Sequence, residues 1–190
     1  FALTLLDHVL GGGMSSRLFH EIRETRGLAY AVHSFRLPFA ETGASAVYVG
    51  TTPSQTEQVL KIIREQLDLI LESGISDEEL ERAKGHVKGS LAIGLEDANS
   101  RMNRLGRTEL MGAEHLTVDE TVARIAAVTA EEIIEVARVS YGGPYVVGAV
   151  GPFAAEELEG FVALKSESQV LRARWGAFRR RRSSARTTCT

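Results

Sequence analysis

The sequence predicts a mixed α/β (α+β) fold, with a largely antiparallel sheet covered by helices. Three observations predict it. Apolar residues recur at helical spacing, most clearly from Val59 to Leu71. Two alternating runs flank a turn that contains Pro38 and Gly43. Finally, three hydroxyl–carboxylate pairs at spacing three mark helix starts. With 190 residues, 44% of them hydrophobic and 25% charged, the chain is long enough to bury one core.

In chain order, Leu3, Leu6, Val9 and Leu10 share one face of a first helix, which Gly11-Gly12-Gly13 ends. Ser15 or Ser16 is expected to cap a second short helix, with Leu18, Phe19 and Ile22 on its apolar side. The period then changes, and "LAYAVHSFRL" and "GASAVYVGTT" read as two strands joined by a turn. After Pro53 the chain is largely helical. Val59, Ile62, Ile63, Leu67, Ile70 and Leu71 form an apolar stripe closed by Gly74. Ser76 with Glu79, Thr117 with Glu120 and Thr129 with Glu132 each match a capping box, and a further start lies near Asp97–Ser100. Four more helices are therefore expected before Tyr141, followed by a buried strand, "PYVVGAVG".

The net charge of -3 conceals an asymmetry. Seven arginines and no acid occupy residues 171–190, so the rest of the chain is acidic, and nucleic-acid binding is not expected of it. The segment is expected to be disordered. It holds the single cysteine, Cys189, so no disulfide can form within the chain, a usage compatible with a reducing compartment. No apolar run approaches the ~20 residues of a membrane span.

The stretch "LGGGMSSRLFHEIRETRGLAY", Leu10 to Tyr30, raises the question of chemistry. A phosphate loop requires Lys-Ser/Thr after its glycines, and Met14-Ser15-Ser16 stand there instead. "HEIRE" nearly spells HExxH but ends in Glu24, and none of His8, His20, His33, His86 and His115 belongs to HxxEH. No GxSxG supplies a nucleophile. Arg23 and Tyr30 remain, seven residues apart, and both can donate to a carbonyl or an oxyanion. The alternative is that Arg23 pairs with Glu21, Glu24 or another acid and Tyr30 simply packs.

"LGGGMSSRLFHEIRETRGLAYAVHS", continued by "SGISDEELERAKGHVKGSLAIGLEDANSRMNRLG" and "TVDETVARIAAVTAEEI", strongly resembles the insulinase-type metallopeptidases, which include pitrilysin and the mitochondrial processing peptidase. The resemblance covers residues 1–153, with 154–170 as a terminal helical or irregular segment and 171–190 as the arginine-rich tail. It implies the C-terminal, non-zinc half of a peptidase built from two similar halves, here lacking the first strand expected before Phe1. It further implies that Gly11, Gly12 and Gly13 form the family's glycine-rich loop. Arg23 and Tyr30 would be the pair that reaches a peptide substrate and supports its transition state. Zinc is implied on the N-terminal half or a homologous partner subunit, bound through HxxEH. This chain alone would bind no metal and hydrolyse nothing. Similarity to the bacterial members implies a cytoplasmic location. A peptidase-like scaffold that has lost catalysis is the competing expectation.

Overall fold

A computed structural model describes residues 1–39 and 42–152. The expected segments 154–170 and 171–190, Cys189 included, lie outside the described residues. The elements run α1 (Ala2–Gly11), a π-helix (Phe19–Glu24), β1 (Ala29–Pro38), β2 (Gly43–Thr51), a short 3-10 turn (Pro53–Gln55), then α2 (Thr56–Ser73), α3 (Asp77–Gly94), α4 (Ala98–Leu110), α5 (Val118–Ala127) and α6 (Ala130–Tyr141).

The helix starts follow from the capping chemistry. In α3, α5 and α6 the Ser76, Thr117 and Thr129 hydroxyls each accept from the amide three residues on. The glutamate at that position accepts the cap residue's own amide in return. Asp97 caps α4 by accepting from the Ser100 amide at 2.7 Å. Gly74 ends α2 with φ of 73°, a left-handed backbone, and a Cβ there would also lie 2.7 Å from the Ile134 side chain.

The core gathers where α1 crosses β1, α3 and α6, with α2 against α6. Leu5, Leu6, Leu10, Leu18, Ile22, Ile70 and Ile133 are among its fully buried members. Burying such side chains is worth about 1.5–3 kcal/mol each. Close approach of α1 to the sheet depends on Gly11, since a Cβ there would lie 2.5 Å from the Ser34 backbone nitrogen. Ser34 in turn donates to the Asp7 carbonyl at 2.9 Å. No helix among the described residues is long and apolar enough to cross a membrane.

Two expectations are corrected. "PYVVGAVG" is not a buried strand: residues 144–150 pair with no strand among those described, and Val146 and Val150 are fully exposed. Apolar composition supplies a strand's side chains but not its lateral hydrogen bonds, and the sheet described here is the β1–β2 hairpin alone. The second helix also starts without a serine cap. Its entry amide, that of His20, bonds to the Ser16 carbonyl, while the Ser16 hydroxyl is buried without a partner among the described residues.

Candidate functional site

The segment from Gly11 to Tyr30 is built from one anchor and two backbone irregularities. The anchor is Arg17. Its Nε donates to Glu79 Oε1 at 2.6 Å, and its Nη2 donates to Glu79 Oε2 at 2.8 Å and to the Gly74 carbonyl at 3.1 Å. A bidentate guanidinium–carboxylate pair fixes orientation as well as distance. It therefore clamps the chain after the glycines to the N-terminus of α3. Burial raises the Glu79 pKa, but the bonds from Arg17 and Ser76 outweigh burial and hold it below the ordinary value.

The first irregularity is the π-helix Phe19–Glu24, in which the Thr25 amide reaches back five residues to the His20 carbonyl at 2.8 Å. Ile22 is buried beneath it, and Arg23 emerges on the outside. The second is at Tyr30. Ala29 pairs with Thr51 and Ala31 with Gly50, so Tyr30 is the extra residue of a β-bulge. The inward side of β1 changes parity there, from Ala29 to Val32 and Ser34. Tyr30 is turned out with 87% of its surface exposed.

These irregularities bring Arg23 and Tyr30 together. The Arg23 guanidinium carbon lies 5.7 Å from the Tyr30 ring centroid and 4.8 Å from that of Phe19. Two rings thus flank the cation in cation–π geometry. The alternative partners do not engage it: Glu21 pairs with Arg26, and Arg23 has no ion pair among the described residues. Phe19 packs against Arg23, although the sequence suggested for it only an apolar helix face. Its spacing of four from Arg23 is the signal that marks it.

The three glycines have different surroundings. Gly11 is buried against Ser34, and a Cβ at Gly12 would meet the His8 Cα at 2.6 Å. At Gly13 a Cβ would lie 3.2 Å from the His8 ring. The loop thus closes over His8, whose imidazole stacks on His86 of α3 with centroids 4.0 Å apart. Burial first, and then the neighbouring His86, lower the His8 pKa, against Asp7 and a backbone bond at Gly12. The histidines lie 78 positions apart, so no local motif announces the stack.

A structural zinc ion takes four ligands and a catalytic one usually three from protein. Among the described residues no three His, Cys, Asp or Glu side chains converge to hold a metal. Zinc does not fit the described residues.

Comparison with known proteins matches this geometry to a family. Residues 1–86 match the family described as the peptidase M16 inactive domain. An uncharacterized zinc protease of Streptomyces coelicolor is 47% identical over 152 residues, covering 80% of this chain and 33% of that protein. One from Bacillus subtilis is 39% identical over 152 residues, covering 80% and 37%. The chain spans about a third of the length of these relatives. Among solved structures, a conserved protein from Enterococcus faecalis V583 superposes with a TM-score of 0.65 at 33% identity, over 72% of this chain and 32% of that one. A peptidase M16 inactive domain from Pseudomonas fluorescens gives 0.63 at 25% identity, over 73% and 33%. The insulinase-type resemblance carried by Gly11 to Tyr30 agrees with these matches, and the chain belongs to the peptidase M16 family as a domain of the inactive, non-zinc type.

Proposed function

We propose that this chain is the substrate-binding, non-catalytic half of a zinc metalloendopeptidase, clasping extended peptides against a zinc-bearing half. One observation carries the reading. A π-helix and a β-bulge aim Arg23 and Tyr30 at the same patch of surface, and the guanidinium has no acid partner among the described residues. A peptide carbonyl under attack gains negative charge on oxygen, and uncommitted donors preorganised beside it stabilise that charge. Arg23 supplies a cation whose plane is held by two rings, and Tyr30 supplies a phenol O–H. The glycine loop Gly11–Gly13 sets the height of this segment over α1. Zinc belongs to the other half, fused or separate.

The test is reconstitution. The 190-residue chain is mixed with the HxxEH half of a related peptidase, and cleavage of an extended peptide is followed. Activity that needs both halves and falls with Arg23→Ala and Tyr30→Phe supports the reading. Activity untouched by either substitution overturns the site. A second reading, a scaffold without catalysis, draws on α4, which buries no residue and exposes Met102, Leu105 and Leu110. It predicts a stable complex with the other half and no cleavage.

A further inference from the structure

A second surface adjoins Arg23 and Tyr30. Beyond the bulge β1 alternates: Val32 and Ser34 turn inward and are buried, whereas His33, Phe35 and Leu37 turn outward. Tyr48 of β2 stands opposite His33, and only glycine or alanine stands opposite Ala31, Phe35 and Leu37. The His33 ring centroid lies 5.1 Å from that of Tyr48 and 5.9 Å from that of Phe35. Both neighbours are open to solvent, Tyr48 at 52% and Phe35 at 37%. No outward position from Ala31 to Leu37, and no β2 partner of one, is an Asp, Glu, Lys or Arg.

A solvated face of an antiparallel sheet ordinarily turns polar residues outward. Single exposed apolar residues are common, but a contiguous patch of them marks a binding surface. Two features identify the occupant. Tyr48 leans back over Gly50, since a Cβ on Gly50 would lie 3.7 Å from its hydroxyl. Gly50 pairs with Ala31, the residue directly after Tyr30, so the ring cluster is continuous with the bulge that carries Tyr30. The strip is also narrow. Two strands wide and running from Ala31 to Leu37, it measures on the order of 24 Å by 10 Å. Each partner of a stable protein interface buries roughly 800 Å². The strip is too small for a second copy of this chain and suits one extended peptide.

We propose that this face selects the peptide: the rings of His33, Tyr48 and Phe35 take an aromatic or branched aliphatic side chain of the substrate. The proposal rests on the reading of Arg23 and Tyr30 given above. His33 and Phe35 lie three and five positions beyond Tyr30. At ~3.3 Å per residue these are about 10 and 16 Å along the strand. An extended peptide has the same rise, so the selected side chain falls three to five residues from the bond held at Arg23 and Tyr30. A charged side chain there would lose water and meet no counter-charge.

The test uses serine–glycine peptides with one phenylalanine moved stepwise along them. Dye-labelled peptides are titrated onto the 190-residue chain and followed by fluorescence anisotropy. Phenylalanine is expected to tighten binding about tenfold, the upper scale of one aromatic contact. Phe35→Ser and Tyr48→Ser should each remove most of that gain and leave the phenylalanine-free peptide unaffected. In the reconstituted peptidase, phenylalanine three to five residues from the cleaved bond should lower KM by a similar factor. Phe35→Ser should restore the higher KM with kcat unchanged, as loss of uniform binding requires. A phenylalanine gain that is absent, or survives both substitutions, overturns the proposal. So does a KM indifferent to the position of phenylalanine, or self-association of the chain that Phe35→Ser abolishes. If Arg23→Ala lowers cleavage while Phe35→Ser leaves KM alone, the shelf fails and the peptidase reading stands. If the mixed halves cleave nothing, the peptidase reading fails and the anisotropy alone decides the shelf.

Discussion

Arg17 and Arg23 are six residues apart in one unbroken stretch, yet they do opposite things. Arg17 commits its fork to Glu79 and to the Gly74 carbonyl, in a pair whose side chains are only 20% and 17% exposed. Arg23 lies on the outside, flanked by Phe19 and Tyr30, its donors uncommitted to any acid among the described residues. The difference comes from the backbone. Arg17 precedes the π-helix and faces α3, whereas the π-helix rotates Arg23 outward over buried Ile22. One arginine is locked to α3; the other keeps its donors uncommitted to any acid among the described residues.

The largest effects should separate the two. Arg23→Ala is expected to lower kcat/KM of the reconstituted peptidase by about 10²-fold, on the order of 2.7 kcal/mol, the usual cost of losing one oxyanion donor. Its urea midpoint should not move. Arg17→Ala should do the reverse, removing about 2 kcal/mol of stability, the scale of hydrogen bonds to a charged group. Activity should then fall only with the folded fraction. A stability loss at Arg23, or an activity loss at Arg17 that persists in the fully folded protein, would erase the contrast.

Local rules made most of the fold legible. Every helix start from Ser76 onward was written in its own capping residues, and the hairpin in its alternation around Pro38 and Gly43. The Arg23–Tyr30 pair was named through resemblance, since spacing alone left an ordinary ion pair open. Illegible features were the non-local or irregular ones. Nothing near Arg17 points to Glu79, 62 residues away, and nothing near His8 points to His86. Neither the π-helix nor the bulge has a simple hydrophobic period, because each is a departure from one. The strand expected at 144–151 failed for the converse reason: it had the composition but pairs with no strand among the described residues.

The anchored side of the comparison should also reveal itself to acid. Glu79 and His8 both tie the N-terminal segment to α3, and both have folded pKa values below their ordinary 4.5 and 6.5. In each case the unfolded chain binds more protons, so stability rises with pH and is lost as pH falls. The His8 share should be lost from about 6.5 downward and the Glu79 share from about 4.5 downward. The charged and titratable groups that face His8 are Asp7, His86, Arg36 and Arg107 on one side, and Glu79 and Arg82 on the other. Urea melts against pH should show that His86→Ala shrinks the upper step. Arg17→Ala should shrink the lower step only in part, because the cap carboxylates Asp97 and Glu120 are also held low. An upper step unchanged by His86→Ala would detach the stack from the anchor.

The smallest effect sharpens the boundary of the anchor. Ser16 precedes Arg17, is 2% exposed, and its hydroxyl has no partner among the described residues. Were it the helix cap that the sequence suggested, Ser16→Ala would cost about 1 kcal/mol. In the structure the alanine removes a desolvated oxygen that gains nothing from the fold, and leaves a void of a single atom. Ser16→Ala is therefore expected to change the unfolding free energy read from urea melts by no more than roughly 0.5 kcal/mol, the scale of neutral substitutions, or to stabilise slightly. A loss near 1 kcal/mol would mean that the hydroxyl does bond to the π-helix in solution. The clamp on this segment would then begin one residue earlier, at Ser16, and Arg17 would share with it the work of holding Arg23 and Tyr30 in place.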